Sequence, residues 1–144
     1  MEKKFMTVDS THITLSDTLK TSAKLIDLYF VGCAPCEEKY EVLKILSTTY
    51  KKSDLQIALI CDGAISSYTN FIKHAKKNKF DGIIFLFDDN KIISNYNWVK
   101  GYPIEILFSG KKIKNIDFGF GEPIKEKWIE KEKSLINNII NHEK

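Results

Sequence analysis

The chain has 144 residues, which suits one domain with a substantial core and is short for two. Its composition, 43% hydrophobic, 12% aromatic and 28% charged, excludes disordered and low-complexity classes, and its three cysteines are too few and too odd in number for a disulfide-stapled scaffold. Twenty-two Lys+Arg against 19 Asp+Glu leave a net charge of +3, and the short lysine clusters at 76–79 and 111–114 read as solvated surface, so nucleic acid is not an expected partner.

In chain order, residues 5–19 suggest short strands around a Ser/Thr-rich turn. Residues 25–31 (Leu-Ile-Asp-Leu-Tyr-Phe-Val) form a β-favouring run of the kind buried on both faces of a sheet, interrupted by one acid, Asp27. Helical spacing follows Pro35, with Tyr40, Leu43, Leu46 and Tyr50 on one face, Pro35 in the first turn, and Glu37 and Glu38 complementing the helix dipole. A second buried strand spans 55–61, a helix 65–78 turns Tyr68, Phe71, Ile72 and Ala75 inward, and a third strand spans 83–87. This β-α-β-α-β order predicts parallel strands joined by right-handed crossovers. Residues 104–108 and 111–118 read as a hairpin around Ser109-Gly110. An amphipathic helix starting near Pro123, with Ile124, Trp128, Leu135, Ile136, Ile139 and Ile140 on its apolar face, ends the chain. The expected fold is a single α/β domain over 1–144: a central mixed sheet, parallel in one half and a hairpin in the other, with helices on both faces.

The longest apolar runs fall far short of the ~20 residues of a membrane span, so no membrane insertion is expected. Residues 1–7 lack the apolar core of a signal peptide, which fits a cytoplasmic protein or an exported one presented without its leader.

Cys33-Ala34-Pro35-Cys36 falls where a buried strand gives way to a helix. A cysteine at that junction, expected to be partly exposed, meets unpaired N–H groups and partial positive charge that favour its thiolate. Cys36, one turn along and shielded, is placed to resolve a mixed disulfide formed by Cys33. Asp27, six residues before Cys33, would lie under the pair, where a carboxyl raised by burial could take the proton of Cys36. Cys61 reads as a core residue, because a free cysteine behaves as a small hydrophobe. A zinc set of Cys33, Cys36, Cys61 and His74 has the ligand types of a structural site, but its spacing matches no compact zinc module, and no metal or cofactor is expected beyond the Cys33–Cys36 disulfide itself. His12 and His142 read as surface residues, Trp128 as core, and Trp98 as lining a groove or packing in the core or a loop.

The run from Leu25 to Cys36 resembles the strand, buried acid and C-x-P-C motif of the thioredoxin superfamily, and Gly101-Tyr102-Pro103-Ile104 with the following hairpin is similar to its cis-proline strand. The layout resembles the TlpA/ResA-like branch over nearly the whole chain. The resemblance implies a thiol–disulfide oxidoreductase with a cis Pro103 facing the cysteines and a substrate-binding rim of Gly32, Ala34, Pro35, Tyr102 and Pro103. The backbone of Tyr102 would pair with an extended substrate segment. The implied partners are a disulfide-containing protein and a donor that restores the redox state, and the chain is expected to be a monomer. The branch is mostly exported, which points to the periplasm or cell envelope. Gly32 departs from the usual tryptophan, and Lys39 stands where many members of the branch carry glutamate. Ala34-Pro35, without the histidine of strong oxidants, favours a reductant. A non-catalytic binding module on the same fold is the alternative; a thiol peroxidase would need a Pro-x-x-x-Thr-x-x-Cys motif that this sequence does not contain.

Overall fold

The computed structural model describes residues 3–142. Among them, seven strands form one sheet: β1 (Lys4–Met6), β2 (His12–Thr14), β3 (Ala23–Tyr29), β4 (Leu55–Asp62), β5 (Ile83–Asp88), β6 (Ile104–Ser109) and β7 (Lys112–Phe118), in the order β2-β1-β5-β4-β3-β6-β7. The helices are α1 (Leu15–Thr18), α2 (Ala34–Thr49), α3 (Tyr68–Lys77) and α4 (Lys125–His142). β3, β4 and β5 are parallel, and β6 returns antiparallel beside β3 to start the hairpin with β7.

From β3 to β4 to β5 the chain steps across the sheet in one direction, so two right-handed crossovers must place α2 and α3 on the same face. There Tyr40, Leu43 and Leu46 of α2, Phe71 and Ala75 of α3, and Trp128, Ile136 and Ile139 of α4 pack on Leu25, Tyr29, Ile57, Leu59 and Phe85. The opposite face is covered more thinly. Ile26, Leu28, Ala58, Ile60 and Ile104 meet Phe5, Leu19 and Ile93, with Leu15 and Val99 beside them. Helices therefore stand on both faces, but the long ones share one side.

Several boundaries differ from the sequence expectation. The first long strand runs 23–29, because Phe30 and Val31 leave the ladder for the turn in which the Cys33 N–H donates to the Phe30 carbonyl (3.3 Å). The helix expected from Ile65 starts at Tyr68, where Ser67 accepts from the Asn70 N–H and caps it; Ile65 lies outside, 56% exposed. Ile124 belongs to a 3-10 turn before α4 and is exposed rather than inward. Trp98 is also exposed, set against Tyr96 and edge-on to Phe118 (6.4 Å between centroids). β7 is the outer strand: Asn115 and Asp117 are half-buried, while Ile116 and Phe118, on the alternate face, are exposed.

Candidate active site at the start of helix α2

The parallel topology brings the C-terminal ends of β3 and β4 to the N-terminus of α2. Cys33 caps that helix: its sulfur accepts from the Cys36 N–H (3.3 Å), and its carbonyl accepts from the Glu37 N–H (3.1 Å). Cys33 and Cys36 are joined in a disulfide with their Cα atoms 5.2 Å apart. Cys33 is only 3% exposed, not partly open as expected, because its side chain turns inward to make the cap and the bond. Gly32, Ala34 and Pro35 form the exposed rim over it.

Gly32 has φ +94°, a backbone conformation that disfavours any L side chain, while the space around it is open. In this backbone a side chain at position 32 would be strained rather than crowded.

β6 enters at the same end of the sheet. Leu28 pairs with Ile104 in the antiparallel register, so Pro103 falls opposite Tyr29, just before the Cys33 turn. The Tyr102–Pro103 peptide bond is cis, Pro103 is buried, and its carbonyl accepts from the Gly119 N–H (2.8 Å). The Tyr102 hydroxyl donates to buried Asp62 at the end of β4, and its ring packs edge-on against Phe30. Burial, with that hydrogen bond, pushes the phenol above its ordinary range, so Tyr102 stays neutral.

Asp27 lies on the α2 side of β3, 1% exposed, with no hydrogen-bond partner for either oxygen among the described residues. Its nearest cation is Lys39, whose Nζ stands 3.8 Å from Oδ1, an ion pair too long for a hydrogen bond. Burial drives the carboxyl up to about 7; Lys39 pulls against this, and neighbouring Glu105 adds to it.

The sequence singled out Lys39 only as a departure. The structure buries it completely, one helical turn beyond Cys36, with Nζ 3.0 Å from Glu105 Oε1 and 4.6 Å from the centroid of the Trp128 ring. Burial opposes its charge, but Asp27, Glu105 and Glu132 outweigh that and hold it protonated. Glu105, Glu132 and Asp117 bring carboxylate oxygens within 4.8 Å of one another. Burial and the nearness of Glu105 raise Glu132 well above the ordinary carboxylate range. A buried lysine on the core side of a helix, with glutamates at inward positions of β6 and α4, was the available sequence signal for this cluster.

Cys61 is fully buried at the end of β4, its thiol pushed up to about 11 by burial. His74 lies at the other side of the cysteines' helix, its Nε2 2.6 Å from Glu37 Oε1 and its ring against Tyr29. The chain thus has the thioredoxin-like fold, with a disulfide at the N-terminus of α2, a cis-proline strand at the same end of the sheet, and a buried acid on the strand that leads into the turn.

Solved structures share this architecture. A protein assigned as the thiol:disulfide interchange protein DsbE of Chlorobium tepidum superposes with TM-score 0.77 at 18% identity, covering 94% of both chains. One assigned as a thiol-disulfide oxidoreductase of Bacteroides vulgatus gives TM-score 0.67 at 24% identity, over 93% of this chain and 86% of that one. The exposed lipoprotein thioredoxin Etrx1 of Streptococcus pneumoniae gives 0.66 at 18%, over 93% and 99%. No protein-family model matches the chain, and no curated protein matches it in sequence.

Proposed function

We propose that this protein is a thiol–disulfide oxidoreductase acting on protein disulfides through Cys33 and Cys36, in the manner of the TlpA/ResA-like branch. The observation that carries this reading is the disulfide at the N-terminus of α2, set at the same end of the sheet as the cis-proline strand. In the reduced protein the Cys33 thiolate, favoured by the helix terminus, attacks a substrate disulfide and forms a mixed disulfide. Cys36 gives its proton to Asp27 and attacks the Cys33 sulfur, and the substrate leaves as a dithiol. Gly32, Ala34 and Pro35 form the rim that receives the substrate, while the backbone before Pro103 pairs with an extended segment of it. The exchange needs no bound cofactor, only a donor protein that returns the pair to the dithiol. A reductant is favoured by Ala34-Pro35, and structural neighbours that include a DsbE and an exposed lipoprotein favour work outside the cytoplasm.

A Cys36→Ser variant tests the reading: it should accumulate mixed disulfides with a disulfide-bonded protein through Cys33. A redox titration of the intact protein should give a two-electron couple between roughly −300 and −120 mV. Reduction of a protein disulfide that proceeds equally well without Cys33 would sink the proposal. The burial of Cys33 at 3% exposure favours, as a second reading, a binding module that keeps its disulfide closed. Partner binding unaffected by replacing both cysteines would support that module instead.

A further inference from the structure

The exchange scheme gives no part to the contact that joins the start of α2 to the end of α3. Glu37 follows Cys36 directly and lies in the first turn of α2, where its N–H donates to the Cys33 carbonyl (3.1 Å). A carboxylate so placed is drawn to the same positive helix end that favours the Cys33 thiolate, so the two anions compete for it. His74, in the last turn of α3, meets that carboxylate, with Nε2 2.6 Å from Glu37 Oε1. This is not a loose surface pair. The His74 side chain is only 12% exposed, and its ring packs against Tyr29 of β3 (5.4 Å between centroids) and Phe85 of β5 (6.1 Å). Nδ1 is buried with no hydrogen-bond partner among the described residues, so a neutral ring carries its proton on Nε2 and donates it to the carboxylate. The end of α3 is itself tied to α2: the Tyr40 hydroxyl donates to the Asn78 carbonyl, and the Asn78 side-chain amide donates to the His74 carbonyl (2.9 Å). Burial keeps Tyr29 neutral, and Glu37 is the one ion-pair partner of His74 among the described residues.

We propose that His74 is a positioning residue of the exchange reaction: it anchors the Glu37 carboxylate at the end of α3 and so leaves the start of α2 to the Cys33 thiolate. The inference rests on the exchange reading above. The step it serves is the first attack. The Cys33 thiolate forms a bond to one sulfur of the substrate disulfide, the S–S bond of the substrate breaks, and its electron pair leaves on the other sulfur, which takes a proton from water. The attack of Cys36 on Cys33 then releases the first sulfur, so the substrate gains two electrons and the protein dithiol loses them. Only the thiolate enters the first step, and its share of the reduced Cys33 depends on the charge gathered at the helix start. A free Glu37 carboxylate lowers that share, and His74 limits the loss by holding the carboxylate to α3. The effect of His74 passes entirely through Glu37.

That routing supplies the test. In the intact reduced protein the rate of Cys33 alkylation by iodoacetamide against pH reads the Cys33 midpoint, and equilibration with glutathione reads the couple. His74→Leu, which frees the carboxylate, should raise the midpoint by about half a pH unit, the scale of one charge in the first turn of a helix. It should also shift the glutathione equilibrium toward the protein disulfide by about threefold, which corresponds to roughly 15 mV. Glu37→Gln should move both readings the other way, and adding His74→Leu to Glu37→Gln should change neither further. His74→Gln keeps a donor for the carboxylate and should restore the wild-type midpoint. If the leucine variant does not fold, His74→Asn, too short to reach Glu37, takes its place. A midpoint that stays at the wild-type value in these variants, or a His74 substitution that acts as strongly in the Glu37→Gln protein, overturns the role of His74 even with exchange intact. A wild-type protein that forms no mixed disulfide through Cys33 overturns the exchange reading, and the part of His74 in it, while the alkylation midpoints remain readable.

Discussion

Replacing Asp27 by Asn should stabilise the oxidised protein, by an amount that depends on pH in a calculable way. The folded carboxyl titrates at about 7 and the unfolded one at the ordinary 3.8. Between those values the folded state holds a proton that the unfolded state has released, so raising the pH favours unfolding. The contribution of Asp27 is thus fully present below about pH 4 and lost as the pH climbs through about 7. The gap is roughly three pH units at about 1.4 kcal/mol each, or about 4 kcal/mol. Asn has the shape of the protonated acid and does not titrate, and Lys39 keeps its pair with Glu105 in the variant. Urea unfolding of wild type and Asp27→Asn, both with the Cys33–Cys36 disulfide intact, is the assay, since neither cysteine then titrates. The two should be nearly equal near pH 4, and the variant should lead by about 4 kcal/mol at pH 8. With a slope of roughly 2 kcal/mol per molar urea, that is ~2 M in midpoint. A difference that is the same at both pH values, or a wild type that gains on the variant as pH rises, would refute an acid raised by burial.

Three further outcomes are expected. In the reduced native protein iodoacetamide at pH 7.5 should modify Cys33 first and leave Cys61 intact until the chain is unfolded, because that thiol is fully buried and titrates near about 11; mass spectrometry of the alkylated peptides reads this. Gly63→Ala should cost ~1–3 kcal/mol or more in urea unfolding, since a Cβ there would sit 2.0 Å from the Asp88 carbonyl oxygen where β4 and β5 end together. Ser67→Ala, which removes the cap of α3, should cost ~1 kcal/mol in the same measurement and leave the redox couple unchanged.

The long elements were legible because their burial is simple. The runs at 55–61 and 83–87 are largely apolar on both faces and became the central parallel strands β4 and β5, each extended by one aspartate, and the spacing after Pro35 became α2. The weaker boundaries have local causes. Phe30 and Val31 continue the apolar run in composition, but the turn that delivers Cys33 must begin there, and Gly32 at φ +94° is the residue that bends it. The cysteine pair, Asp27 and the Tyr102-Pro103 element were readable as a set through the resemblance: Asp27 lies within β3, the pair opens the helix that follows it, and Tyr102-Pro103 lead into β6 beside it. The Lys39 cluster was not. Lysine on a helix ordinarily lies in solvent, and only the combined inward phase of Lys39, Glu105 and Glu132, from elements far apart in the chain, shows that the three ionisable groups face one another. The contact of Trp98 with Phe118 was not legible, because Phe118 ends β7 twenty residues further on, whereas Tyr96 is a near neighbour in the same loop.

The outer strand β7 has a consequence of another kind. Its free edge offers a row of backbone donors and acceptors with no ladder partner among the described residues, and Ile113, Ile116 and Phe118 stand exposed along it. Such a strand is a template on which a second copy could polymerise. Lys112 and Lys114, with Lys111 in the turn before them, break the stretch with charge that any second strand laid along this edge would have to accommodate. The residues that composition alone marks as ordinary surface thus serve as gatekeepers, holding the chain short of aggregation during the interval when its sheet is formed and its edge is bare.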